Sequence, residues 1–372
     1  MDVHARSVTI KGIDLHTGES MTKSFGDVPN ASQIVEWMEE KFAGPYYAAY
    51  ETGCTGFYLC RQLRSLGIDC DVIATSSIAR STDDRQRKTD KRDAKRLLQE
   101  MCMPIPSYSK VWVPDQNCEA VRDLIRTRFD VVAALKRAKQ QSSALLLRYG
   151  YVWNEKTATG NIKKMWGVDF LDWINKISLG EKSADEALAF YVRAVRESTA
   201  QLKDINRTCY VLAEQPRWKP YVDALTLLKG LDTISALLFA SEIGDFSRFR
   251  NGRSVSKWLG TVPKEHSSGE HISRGRITKA GNSHCRFALI EGLNNVVCFR
   301  ATPKTIKGEQ IVSAETIALC ADANRRCIAR YHHLRFSSKI GTNKAKVAIA
   351  SELVRWIWIV GLHVQEELEA GR

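Results

Sequence analysis

Lys88-Thr89-Asp90-Lys91-Arg92-Asp93-Ala94 is the stretch on which the reading of this chain turns. Asp90 and Asp93 stand three residues apart where a helix over residues 94–101 begins, a spacing that puts both carboxylates on one helical face. Two carboxylates so placed can share a hard divalent cation. They sit in a basic run of Arg85, Arg87, Lys88, Lys91, Arg92, Lys95 and Arg96, the setting needed by a metal site that also meets phosphate. Acidic residues at a helix start also simply complement the macrodipole. The heptapeptide alone leaves both readings open, and the rest of the chain has to decide.

The 372 residues, 44% of them hydrophobic, suffice for two or three domains with their own cores. A formal charge of +13 points to a polyanionic partner, because Lys and Arg gain affinity by releasing counterions from phosphates. A membrane surface would attract the same charge, but no apolar run reaches the ~18–20 residues of a bilayer span and no signal peptide opens the chain. The expectation is a cytoplasmic protein without a membrane partner. Ten cysteines are scattered without a CxxC pair, which reads as reduced and mostly core. His266, His271 and His284 are irregularly spaced and read as solvated or phosphate-contacting rather than as a metal site.

Residues 3–25 alternate like a hairpin turned at Thr17-Gly18. Residues 31–42 have helical periodicity behind Asn30 as N-cap, 45–51 read as a buried strand, 56–66 as a helix ending at Gly67, and 68–75 as a short strand. The helix bearing Asp90 and Asp93 follows. A hairpin, then helix, strand, helix, strand and helix, is the order an RNase H-like domain requires. Such domains bring carboxylates from the ends of central strands and from a last helix to one metal. Asp2, Glu51, Asp90 and Asp93 form that candidate constellation. Asp14 rivals Asp2 but sits within the second strand as a solvent-face residue, and Glu51 alone also reads as a solvated or capping carboxylate.

Residues 103–114 carry three prolines and read as a linker. Residues 118–147 form a long charged helix. A second long helix spans about 184–213, where Leu188, Val192, Val195, Thr199, Leu202, Asn206 and Cys209 recur in a heptad. That seam either packs inside the chain or dimerises an antiparallel arm. Residues 149–180 between them are aromatic-rich and unassigned. Beyond a break at Pro216 to Pro220, residues 229–290 hold ten Lys or Arg against five Asp or Glu. Residues 227–244 have the helix, glycine turn, helix form of a DNA-backbone-binding hairpin, with Asp232 where a second glycine would help. Ser267-Ser268-Gly269 opens a glycine-punctuated loop flanked by Arg274, Arg276, Lys279 and Arg286. Serines before glycine are usually turn residues. Cations around a serine also stabilise a nucleophilic alkoxide and a crowded phosphorus. Residues 322–346 add seven Lys or Arg against one Asp, for nucleic acid or for solvation.

Four stretches, Asp2-Val-His-Ala-Arg-Ser-Val, Tyr50-Glu-Thr-Gly-Cys-Thr-Gly56, Lys88 to Ala94, and Ser267-Ser-Gly through Gly275-Arg-Ile-Thr-Lys-Ala-Gly-Asn282, resemble in the same order the DEDD-type transposases of bacterial insertion sequences, the family numbered one hundred and ten. The resemblance covers nearly the whole chain. It implies an α/β RNase H-like (RuvC-like) domain over 1–103, a helical coiled-coil arm over 115–215 and a mainly α transposase domain over 216–372. It implies Mg2+ on Asp2, Glu51, Asp90 and Asp93, and a nucleophilic Ser268 with Ser267 as fallback. It also implies homodimers or homotetramers, and a bridge RNA that pairs with donor and target DNA. One departure is that only Met1 precedes Asp2, where family members place several apolar residues. The alternatives are a metal-only junction nuclease of RuvC type, and a nucleic-acid-binding relative disabled at its start.

Overall fold

The computed structural model describes residues 1–26, 30–78, 90–104, 108–265, 274–294 and 312–371, and for Ser76, Asp90, Lys91, Glu265 and Arg274 the backbone alone. Two compact units divide the chain, Met1–Asp115 and Gln116–Arg372.

In the first unit β1 (Asp2–Val3), β2 (Val8–Ile13) and β3 (Ser20–Phe25) form an antiparallel ladder, with Val8 opposite Phe25 and Ile13 opposite Ser20. The turn begins earlier than the sequence suggested. Asp14 lies beyond β2, and its carboxylate accepts from the His16 and Thr17 amides at 2.7 and 3.1 Å, bonds that hold its pKa below the usual range. That Asx geometry, with Gly18 at φ +75°, closes the hairpin and removes Asp14 as a rival site residue. Asn30 caps α1 (Ala31–Lys41), accepting from the Gln33 amide. β4 (Tyr47–Glu51), α2 (Tyr58–Ser65) and β5 (Asp69–Ile73) then form a parallel crossover unit, Tyr47 to Glu51 pairing with Asp69 to Ile73. After α3 (Asp90–Met101), β6 (Lys110–Val111) pairs antiparallel with β5, inside the stretch expected to be linker alone. β1 lies beside β4, where the Met1 amino group donates to Ala49 O at 2.7 Å.

β1–β2–β3 and β4–β5–β6 are separate three-stranded sheets, and the two faces of the second follow from the period of two in its strands. Ala48 and Tyr50 of β4, with Cys70 and Val72 of β5, point into a core shared with Ile34 and Met38 of α1 and Cys60 and Leu63 of α2. Ala49 and Ile73 point the other way, onto Leu97 of α3. Tyr50 is fully buried, and its hydroxyl donates to Gly56 O at 2.9 Å, tying down the loop that follows Glu51.

The second unit opens with α4 (Gln116–Arg148), α5 (Val168–Ile174) and α6 (Lys182–Ala213). α4 and α6 run antiparallel, because Arg128 Nε donates to Asn206 Oδ1 at 2.7 Å while Leu145 and Leu146 pack with Leu188 and Val192 at the other end. The heptad seam therefore buries Leu188, Val192, Val195 and Cys209 within the chain. Residues 149–180, unassigned from sequence, close the tip. Trp153 packs edge-on against Phe170 and tilted against Trp173, each with centroids 5.2 Å apart.

Next come α7 (Lys219–Thr226) and α8 (Thr233–Ile243), joined by residues 227–232. The first helix stops before Leu227, so the helix–turn–helix lies slightly upstream of its sequence placement, and the expected break falls between Ala213 and Lys219, with Pro220 in the first turn of α7. Asp232 makes a capping box with Ser235, accepting from its amide at 2.8 Å. The aspartate that broke the glycine pattern is thus the N-cap of α8. α9 (Gly252–Leu259), β7 (Pro263–Glu265), β8 (Arg274–Ile277), α10 (Ser283–Asn294), α11 (Ala314–His332) and α12 (Thr342–Glu369) complete the unit. Contrary to the sequence reading, α12 is long and apolar enough by length and composition to cross a membrane. Its Ile349, Leu353, Val354, Ile357 and Val360 are buried in the core of this unit. No disulfide links the nine described cysteines, of which Cys54 and Cys102 are exposed and the rest buried.

Candidate functional site

Alternation in the strands and helical spacing in α3 together select one face of the first unit. Met1 and Val3 pack into the core shared with α1 and α2, so Asp2 between them faces the opposite side, toward α3. Glu51 shares the face of Ala49, two residues before it, which is again the α3 side. On α3, Ala94 and Leu97 are buried against the sheet, and Asp93 adjoins that buried stripe. Three sequence-expected carboxylates thus stand on one face, each partly sheltered, with side-chain exposures of 19% for Asp2, 20% for Glu51 and 18% for Asp93. Asp90 begins the same helix one turn earlier, and its side chain lies outside the described atoms.

The carboxylates have cationic and polar partners. Asp2 lies 3.3 Å from His4 Nε2. Arg96 reaches Glu51 Oε1 with Nη2 at 2.7 Å and Asp93 Oδ1 with Nη1 at 3.4 Å, and its side chain is 11% exposed. A residue read from sequence as part of a phosphate-facing run is thus the bridge between two carboxylates 42 positions apart in the chain. Its i,i+3 relation to Asp93 was legible in sequence, but the pairing with Glu51 was not. Among the described residues, no three His, Cys, Asp or Glu side chains stand close enough to share one ion. The donor set is nonetheless all carboxylate oxygen, which suits a hard divalent cation, and the sheltered guanidinium between two donors marks a place that takes positive charge. On that ground the residues fit a divalent metal.

In the second unit, Ser267, Ser268, His266 and His271 lie outside the described residues, as does the Arg274 side chain. The flanks of their loop are described. Arg276 and Lys279 are exposed, Lys279 with φ +54°. Arg286 is committed differently, its Nη1 donating to Leu259 O at 2.8 Å and tying α10 to α9. His284 packs on Phe129, ring centroids 4.9 Å apart. The loop re-enters the fold at Gly281, where the Lys279 amide donates to Gly260 O and the Asn282 amide to Trp258 O. A Cβ on either Gly260 or Gly281 would collide with the facing backbone, and both have positive φ.

A charge network around the buried Glu242 in the second unit was not anticipated. Glu242 on α8 accepts from Arg126 Nε and Nη2 at 3.0 and 3.1 Å, while Arg122 donates to the Ser241 and Glu242 carbonyls at 2.8 and 3.0 Å. Burial lowers the Arg248 pKa to about 10, and its Nη2 donates to Glu242 O at 3.3 Å. Arg122 and Arg126 at i,i+4 on a charged helix were the available signal, but their partner lies more than a hundred residues away.

The first unit carries its carboxylates on strands β1 and β4 and on α3, and a DEDD transposase domain implies a RuvC-like fold for it. Comparison with known proteins makes the assignment specific. Residues 1–151 match the DEDD transposase family of IS110 elements, described as "Transposase", and residues 222–308 match the "Transposase IS116/IS110/IS902 family". The chain is 33% identical over 341 residues to a putative transposase, y4qE, of Sinorhizobium fredii, covering 90% of this chain and 80% of that one. It is 30% identical to the transposase for insertion sequence element IS1533 of Leptospira borgpetersenii over 70% of this chain and 73% of that one. With the transposase for insertion sequence element IS1328 of Yersinia enterocolitica it shares 21% identity over 95% and 97%. The chain belongs to the IS116/IS110/IS902 family of insertion-sequence transposases, and it is a DNA transposase.

Proposed function

We propose that this transposase is a site-specific DNA recombinase that uses Mg2+ held by Asp2, Glu51, Asp90 and Asp93, with Ser268 as nucleophile and Ser267 as its fallback. The observation that carries the metal half is the placement of Asp2 on β1, Glu51 on β4 and Asp93 on α3, with β1 beside β4 and Arg96 of α3 joining Glu51 to Asp93. Bound there, a divalent ion supplies positive charge that neutralises the scissile phosphate and the leaving oxygen. The carboxylates hold that charge, and the loop cations Arg274, Arg276 and Lys279, with Arg286 behind them, draw in the DNA backbone. Ser268 Oγ bonds to phosphorus as the bond to the departing strand breaks, so the bond energy is kept in a phosphoserine link until a new strand end resolves it.

Donor and target DNA are the substrates, selected through pairing with a bridge RNA. The reading divides the chain into a RuvC-like domain over 1–103, a coiled-coil arm over 115–215 and a mainly α transposase domain over 216–372. The protein works in the cytoplasm as a homodimer or homotetramer. The net charge of +13 supports the nucleic-acid partners. The test of the metal half is Asp93→Asn and Glu51→Gln, assayed for strand cleavage on donor DNA beside a circular-dichroism control. Cleavage should fall by more than about a hundredfold with the fold intact, and undiminished cleavage in both variants would refute the assignment.

A further inference from the structure

Arg122 is buried and Arg96 largely sheltered, its side chain 11% exposed, and they are held in different ways. Arg122 lies in a built backbone socket, its Nε and Nη2 donating to the carbonyls of Ser241 and Glu242 at 2.8 and 3.0 Å. The described partners of Arg96 are two carboxylates, Glu51 at 2.7 Å and Asp93 at 3.4 Å, while its Nε is buried without a hydrogen-bond partner. A guanidinium has five donors in a rigid fork. Here the fork is met only at its tip, and the stem lies along a helix that also carries Asp93 one turn away. The head can therefore leave these carboxylates without breaking a backbone bond that shapes the fold.

We propose that Arg96 is a displaceable counter-cation of the carboxylate site: it draws Glu51 and Asp93 together in the metal-free chain and must give way when a divalent ion binds, so it sets the affinity of the site for metal. The inference rests on the reading of these carboxylates as metal ligands. Clustered carboxylates repel one another, and without a cation between them the α3 face would open or take up protons. The guanidinium answers that repulsion with a single charge. A divalent ion answers it with two, but it cannot share the same oxygens with a guanidinium a few ångströms away, because like charges in a sheltered site repel strongly. Occupancy is thus exclusive, and Arg96 acts as a positioning residue for the ligands and as a competitor for them.

The experiment is a titration of Mn2+ into the full-length, DNA-free protein, with free ion counted by electron paramagnetic resonance, beside thermal unfolding in EDTA and in saturating Mn2+. Arg96→Gln should bind Mn2+ about ten- to a hundredfold more tightly than the unaltered protein, the range by which a neighbouring charge shifts a carboxylate. It should also unfold at a lower temperature in EDTA, and Mn2+ should close that gap. Asp93→Asn should bind weakly or not at all. If Asp93→Asn abolishes binding while Arg96→Gln binds no more tightly than the unaltered protein, Arg96 is a structural clamp and the inference fails alone. If neither the unaltered protein nor Arg96→Gln binds Mn2+, the metal-site reading fails and takes this inference with it. Should Arg96→Gln not fold, Arg96→Lys, which keeps the charge but loses the two-pronged reach, decides by the same sign: tighter binding supports displacement and weaker binding overturns it.

Discussion

At the scale of single residues, the buried carboxylate Glu242 shows how context outweighs residue type. Its side chain is 3% exposed, and such a charge persists only because Arg126 forks onto it while Arg122 secures the neighbouring carbonyls. Arg126 is 44% exposed and can be hydrated once its partner is gone, so Glu242→Ala should cost about 1–3 kcal/mol of stability through the lost charge-assisted bonds, read as a lower urea midpoint for the second unit. A midpoint within error of the unaltered protein would show that the network contributes nothing. Glu242 was invisible as a special residue in the sequence, where it is one acid inside an apolar helix. Glu51 and Asp93 were expected together from strand end and helical spacing, and the structure brings both to the Arg96 guanidinium. Arg96 was read with the wrong partner, because a contact spanning 45 positions leaves no local trace.

At the scale of elements, most of the first unit was legible because its strands alternate and its helices are capped. Asn30 caps α1 as expected, and the hairpin pairs Val8 with Phe25. The misreadings have local physical causes. Asp14 and Asp232 are short polar side chains whose oxygens satisfy backbone amides at a turn and at a helix start, and a pattern search mistakes both for strand or glycine-turn positions. The heptad of α6 was ambiguous in sequence because knobs fit a partner helix equally well within a chain or across two. The structure pairs it with α4.

Gly281 belongs to the same scale. At φ +94°, and with Trp258 O where a Cβ would stand, Gly281→Ala should cost at least about 2 kcal/mol. It should also lower strand cleavage by moving the end of the serine loop. Unchanged thermal stability in that variant would contradict the close approach.

At the scale of the whole molecule, the chain is two compact units, each with its own core, carrying an excess of positive charge that suits a nucleic-acid substrate. Family membership was legible because four separated motifs fall in one order, a pattern more specific than any one of them. The chemistry proposed here draws on both units, carboxylates from the first and a serine from the second. The most direct test incubates the protein with Mg2+ and donor DNA, denatures it, digests the DNA and maps the nucleotide-bearing peptide by mass spectrometry. A phosphonucleotide on Ser268 that disappears in Ser268→Ala, with DNA binding retained, is the expected result. Cleaved DNA with no protein attached, or an undiminished adduct in Ser268→Ala, would contradict it.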